Sequence, residues 1–345
     1  MSFARLSAPP LAATILFLAA DAIAATAVQS KFGTLPDGGT VDQVTLSNEH
    51  GITARIIAYG ATLQSLVVPD RHGAKADIVL GYPMLWEYLD HPNYFGATVG
   101  RYANRIKNGT FTLDGKSFQL TRNNGPNSLH GGAHGFDQAV WSIDQVKSGG
   151  TAGVRLSYVS VDGEEGYPGT LRVSISYSLT DQDQLTMEYT ATSDATTVVN
   201  LTNHTLFNLS GEGSARSALA VRLTLNADAF TPIDAGLIPT GELRPVTHTE
   251  FDFRKGALIS ERVRDSRDAQ IRIARGFDHN YALNGGLTLR PKFSSRLVSR
   301  SARVRRRMAN EYEPGLRLFI DGERIGTAGR ETHRVVRVPS GATAR

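Results

Sequence analysis

Residues 95–136 read FGATVGRYANRIKNGTFTLDGKSFQLTRNNGPNSLHGGAHGF. Two segments within it, 110–113 and 117–120, have strand composition, and Asp114-Gly115 joins them. An Asp-Gly pair between alternating segments favours a two-residue hairpin, because both turn positions tolerate positive φ. The reading predicts a hairpin with Arg105 and His130 on the loops that flank it, where a scaffold usually holds its polar groups.

Outward from this stretch, the same period of two recurs. Segments 51–59 and 61–68 are rich in Ile, Val and Leu and are separated by Gly60, while 172–179, 185–189 and 221–225 alternate apolar with polar residues. Asp37-Gly38, Asp162-Gly163, Pro168-Gly169 and Asn284-Gly285 punctuate them as turns. Many short strands without a long amphipathic helix predict an all-β fold, an antiparallel sandwich or barrel. No linker rich in Pro, Gly or Ser divides the chain before residue 290, so residues 25–293 read as one domain.

The composition fits a globular chain: 345 residues, 41% hydrophobic, with 14 Phe and 11 Tyr. Cysteine is absent, which excludes disulfides, thiolate chemistry and Cys-based metal sites. At the start, Arg5, the apolar run 11–20 and Ala22-Ile23-Ala24 have the pattern of a secretory signal cleaved near Ala25. The expectation is therefore a signal peptide at 1–24 and export to a periplasm or the outside. The formal charge of +4 is unevenly placed. Residues 292–345 hold twelve Arg, one Lys and five acids, a balance of +8, which leaves −4 for the rest. Only the run RVRRR at 303–307 resembles a basic face, and neither a nucleic-acid partner nor a membrane contact beyond the signal is expected. From about Ser294 the pattern changes: 294–307 has neither strand alternation nor a helical stripe, and 294–345 reads as an atypical, Arg-rich, degraded end of the same domain.

Two further polar clusters stand far from the opening stretch, NLTNHTLFNL at 200–209 and FDHNY at 277–281. Polar groups set among apolar residues cost free energy unless partnered, so several such segments suggest a shared pocket. His130 and His134 have the i, i+4 spacing of a helical metal pair, but Gly131, Gly132 and Gly135 argue against a helix there, and no metal site is expected. The phosphate-binding glycine patterns are absent. Ser128, His130 and Asp278 would supply the residue types of a hydrolytic triad, without the elbow that presents its serine. Asp137, Glu164, Glu165, Asp252 and Asp278 are acids from which a glycosidase pair would have to come. A neutral pocket of Asn, Arg, His and Asp best suits a polyhydroxylated ligand, because sugar hydroxyls need many donors and acceptors at fixed positions.

The chain resembles the aldose 1-epimerases, also called galactose mutarotases, in VGRYANRIKNGTF (99–111), NNGPNSLHGG (123–132), GFD (135–137), EEGYPG (164–169), NLTNHTLFNLSG (200–211) and FDHNY (277–281). The resemblance covers roughly residues 32 to 290. It implies a large antiparallel β-sandwich with a sugar cleft and interconversion of α and β anomers of a free aldose by acid-base ring opening, with no cofactor. By position, His204 matches the family's general acid and His130 its second histidine. Asn104, Arg105 and Asp278 match the residues that hold sugar hydroxyls. The family's base is a glutamate near the C-terminus in a segment like L-E-x-Q-H-F-P-D, and no such segment occurs here. The Arg enrichment that begins where the resemblance fades predicts a shifted reading frame or altered terminus. The general base is left unassigned: Glu323 or Glu331 would serve only where the local backbone places it in the cleft, which is not expected. A non-catalytic sugar-binding protein on the same scaffold is the alternative. An epimerase of phosphorylated hexoses would need added cationic residues, and a glycosidase would need two opposed acids. Oligomeric state and the preferred aldose are left open by the sequence.

Overall fold

A computed structural model describes residues 25–310, apart from 71, 265–266, 286–291 and 300–304. The signal segment at 1–24 and the candidate bases Glu323 and Glu331 lie outside the described residues.

The chain opens with strands β1 (Thr26–Thr34), β2 (Thr40–Ser47), β3 (Thr53–Ile57), β4 (Thr62–Pro69) and β5 (Lys75–Asp77), which pair antiparallel in sequence order. β4 reads TLQSLVVP and is buried over most of its length, as expected of an apolar strand with both faces covered. A six-residue helix, α1 (Leu85–Asp90), follows and tucks Leu85 and Tyr88 inward.

Five short strands come next: β6 (Thr98–Val99), β7 (Arg105–Ile106), β8 (Thr110–Leu113), β9 (Lys116–Gln119) and β10 (Ser128–Leu129). β8 and β9 form the predicted hairpin. Leu113 faces Lys116 across it, and Asp114 and Gly115 turn the chain at φ of 48° and 77°. Those two positive values are the geometry that the Asp-Gly pair tolerates.

Four long strands, β11 (Ser142–Lys147), β12 (Thr151–Ser160), β13 (Leu171–Thr180) and β14 (Leu185–Ser193), make a second antiparallel sheet in sequence order. In β13, Leu171, Val173, Ile175, Tyr177 and Leu179 point inward at every second position. They share one hydrophobic core with Val41, Val44, Leu46, Ile56, Leu63 and Leu66 of the first sheet. The two sheets thus form a sandwich, in which each fully buried Leu or Val contributes about 1.5–3 kcal/mol. Arg101 is fully buried against Tyr167 of a separate, smaller cluster. Its guanidinium donates to the carbonyls of Ser160, Pro168 and Gly169 and lies 5.4 Å from the Tyr167 ring, so a charge taken out of water is paired with several acceptors.

The remaining strands are β15 (Thr202–Asn203), β16 (Val221–Leu225), β17 (Ala227–Thr231), β18 (Arg244–Pro245) and β19 (Ala257–Leu258). After the short helix α2 (Ala269–Ala274) come β20 (Asn280–Leu283), β21 (Lys292–Ser299) and β22 (Arg305–Asn310). A second core gathers Phe230, Phe251, Phe253, Ile271 and Tyr281, with the Phe230 and Phe251 rings stacked 4.0 Å apart. The strand character of β21 and β22 differs from the reading of 294–307 as patternless. β21 pairs with β16 from Ser295–Leu225 to Ser299–Val221, which satisfies its backbone, while Ser294 and Ser295 are buried and Leu297 packs on the main core. Pairing supplied by a distant strand overrides a weak local pattern.

Candidate active site

β6, β7, β10 and β15 are only two residues long, yet they bring three distant parts of the chain together. β15 pairs with β6, Thr202 opposite Val99 and Asn203 opposite Thr98. Just beyond, the His204 backbone donates to the Ala97 carbonyl at 2.8 Å and accepts from the Gly96 amide at 3.1 Å. β10 pairs with β7, Ser128 opposite Ile106 and Leu129 opposite Arg105. Arg105 therefore sits in a strand ladder and not on a loop, which is why it is held level with the residue preceding His130.

The two imidazoles meet edge to face, with ring centroids 5.3 Å apart and planes at 79°. Their surroundings differ. His130 Nδ1 accepts the Asn104 backbone N–H at 2.9 Å, and the Asn104 carbonyl accepts the His130 N–H at 2.9 Å. With Nδ1 acting as acceptor, the neutral ring carries its proton on Nε2. Asn104 adopts φ of 66°, a conformation that Asn tolerates better than most residues, and its Oδ1 accepts from the Arg105 N–H at 2.7 Å. Arg105 Nε donates to Asn124 Oδ1 at 3.0 Å. Asn123 holds the His130 loop from outside: its Oδ1 accepts from the Leu129 N–H, and its Nδ2 donates to the Leu129 and Gly132 carbonyls.

His204 Nδ1 is buried with no hydrogen-bond partner among the described residues, which leaves Nε2 as the ring nitrogen able to meet a ligand. Burial lowers its pKa from the ordinary 6.5, and the nearby Asp278 carboxylate works in the opposite direction. Asp278 itself is exposed. The five residues singled out in the sequence thus fall into one neighbourhood: Asn104, Arg105, His130 and His204 through contacts, and Asp278 through its field at His204.

Tyr94 was not visible as a site residue in the sequence. It stands at φ of 59° with its ring 4.7 Å from His130 and 5.7 Å from His204, and so contacts both imidazoles. On its other side it lines a recess with Tyr59, His91, Asn93 and Asp137 that contains neither His130 nor His204. Burial raises the Asp137 carboxyl to about 7.

For the other chemistries weighed on the sequence, the described residues show the following. Ser128 is buried, not presented as a nucleophile. Among the described residues no group of three His, Cys, Asp or Glu is placed to hold a metal. Of the acids, Asp252 is paired with Arg254 at 2.7 Å and Glu164 accepts from the Tyr158 hydroxyl at 2.5 Å.

Fold and site together place two histidines, flanked by amide, guanidinium and carboxylate groups, on an antiparallel β-sandwich. The family model described as Aldose 1-epimerase matches residues 42–319, well past the point near 290 where the motifs thin out. Among similar proteins, the galactose mutarotase of Sus scrofa is 43% identical over 306 residues, covering 87% of this chain and 85% of its own. The aldose 1-epimerase of Escherichia coli (strain K12) is 37% identical over 248 residues, covering 72% and 70%. The crystal structure of galactose 1-epimerase from Lactobacillus acidophilus NCFM superposes with a TM-score of 0.70 at 31% identity, covering 79% of this chain and 77% of that one. The chain belongs to the aldose 1-epimerase family.

Proposed function

We propose that this protein is an aldose 1-epimerase that interconverts the α and β anomers of free aldohexoses by acid-base ring opening, with His204 as the general acid. In this reading a base takes the proton of the anomeric hydroxyl as the bond between C1 and the ring oxygen breaks. The bonding pair passes to the ring oxygen, which receives the proton of His204. Rotation about C1–C2 and the reverse steps deliver the other anomer. His130, a donor at Nε2, polarises the same oxygen, and Asn104, Arg105 and Asp278 hold hydroxyl groups. The family's base glutamate has no counterpart by motif in this chain, so the described residues supply the acid half of the chemistry.

The observation that carries the proposal is the pairing of the two imidazoles at 5.3 Å between centroids, one fixed by a backbone N–H and the other with its Nδ1 buried, which leaves Nε2 as the nitrogen for a ligand. Burial lowers the pKa of His204, which makes its imidazolium a stronger acid, while the Asp278 carboxylate works in the opposite direction and favours reprotonation. Polarimetry of freshly dissolved α-D-glucose and α-D-galactose tests the assignment. The protein is expected to accelerate the approach to equilibrium rotation over buffer, and an unchanged rate from folded protein contradicts it.

We also propose export with cleavage before Ala25, supported by the charged, apolar and Ala-x-Ala pattern of residues 1–24. Mass spectrometry of the exported chain is expected to find Ala25 as its first residue, and an intact Met1 contradicts cleavage.

A further inference from the structure

Glu165 belongs to the EEGYPG segment, and neither the acid role nor the sugar contacts proposed above use it. Its carboxylate reaches out of a tight turn to the loop that carries His130. Oε2 accepts from the Ala133 N–H at 2.8 Å and Oε1 from the His134 N–H at 3.1 Å. Bonds from backbone N–H groups to a carboxylate are charge-assisted and stronger than neutral ones.

The turn holding Glu165 is itself anchored. Glu165 stands at φ of 52° between Gly163 and Tyr167, its carbonyl accepts the Thr121 N–H at 3.0 Å, and the neighbouring Tyr167 is fully buried. The loop it grips is otherwise loose by composition. His130 is followed by Gly131 at φ of 99° and Gly132 at 119°, two residues with wide backbone freedom. Asn104 fixes the His130 ring, and Asn123 bonds on both sides of it, at Leu129 and at the Gly132 carbonyl; beyond the glycine pair, Glu165 ties the amides of Ala133 and His134. A Cβ added to Gly132 would run into the Glu165 carboxylate, so the contact as it stands uses the glycine there.

We propose that Glu165 is a positioning residue for the epimerase reaction, clamping the 131–134 loop so that His130 keeps its Nδ1 on the Asn104 N–H and its Nε2–H toward the sugar. The inference rests on the assignment of His130 above and deepens it. Outer residues that orient a reactive group typically account for about 10- to 100-fold in activity.

The test is a double-mutant cycle on the full chain by polarimetry, with the imidazole nitrogens of His130 followed by NMR. Glu165→Ala is expected to lower kcat about 10- to 100-fold with KM changed less than about threefold. Glu165→Gln, near in shape and still holding one acceptor oxygen, is expected to retain more activity. In a His130→Ala background the Glu165→Ala loss is expected to shrink to under about twofold, because the group it positions is gone. The His130 signals are expected to move from a single Nε2–H tautomer toward a mixture. An equal loss in both backgrounds, or no loss with His130 signals unmoved, overturns the clamp. If His130→Ala alone leaves kcat intact, the role of His130 fails, and the clamp is then judged by NMR: shifted His130 signals in Glu165→Ala uphold it, unshifted ones overturn it.

Discussion

The two histidine segments reach the same point by opposite means. His130 sits in a glycine-rich loop; the Asn104 N–H bonded to Nδ1 sets its ring and tautomer, and Asn123 holds the backbone on either side. His204 follows a two-residue strand, its own backbone is pinned to Ala97 and Gly96, and its ring is buried with Nδ1 unpartnered among the described residues. Hydrogen bonds fix where a proton resides, whereas burial fixes how readily it leaves. On the roles proposed above, the pair combines a donor of defined direction with an acid whose strength is set by burial.

Removing the buried member has the largest expected effect. His204→Ala eliminates the proton donor to the ring oxygen, and kcat is expected to fall by about 10²- to 10⁴-fold. Polarimetry reads it, and a loss below tenfold would move the acid elsewhere.

Next is the loop that carries the hydrogen-bonded member. Gly132→Ala puts a Cβ against the Glu165 carboxylate at φ of 119°, and left-handed strain of this kind costs about 1–3 kcal/mol. The urea midpoint is expected to drop together with kcat, while an unchanged midpoint would mean that the loop yields without strain.

Burial has a signature in pH as well. His279, packed against Phe230 and Phe251, has its pKa lowered by burial to about 4. Its folded pKa lies below the unfolded value of 6.5, so folding stability through this group is complete above 6.5 and is lost as pH falls toward 4. Between pH 7 and pH 5 the wild-type urea midpoint is expected to fall, and His279→Asn is expected to remove part of that fall. His204, lowered in the same direction, acts with the same sign.

The smallest effect sharpens the electrostatic half of the comparison. Asp278 stabilises the imidazolium of His204, so Asp278→Asn is expected to lower the pKa of His204 further. The alkaline limb of kcat/KM then moves to lower pH by about one unit or less, whereas the same substitution leaves the His130 tautomer unaltered. A shift to higher pH would show that Asp278 does not face His204.

Local rules carried much of this structure. The Asp114-Gly115 hairpin was legible because both its residues need positive φ, and β13 because its alternation matches a half-buried strand. β21 was not, since its pairing comes from β16, some seventy residues away. In the site, the His, Asn and Arg positions stood out by motif. Tyr94 did not, because its contact with both imidazoles depends on a positive φ that nothing in PNYFG announces. Nor did the sequence say that Arg105 is level with Leu129, a register set by a two-residue ladder.

The most direct test of the account is two-dimensional exchange NMR of the anomeric protons of glucose and galactose at equilibrium, with wild-type protein and with His204→Ala. Cross-peaks linking the α and β signals are expected with the wild type and are expected to vanish with the variant. Cross-peaks of equal intensity from both proteins would contradict the assignment of His204 as the acid, and their absence from both would contradict epimerisation by this chain.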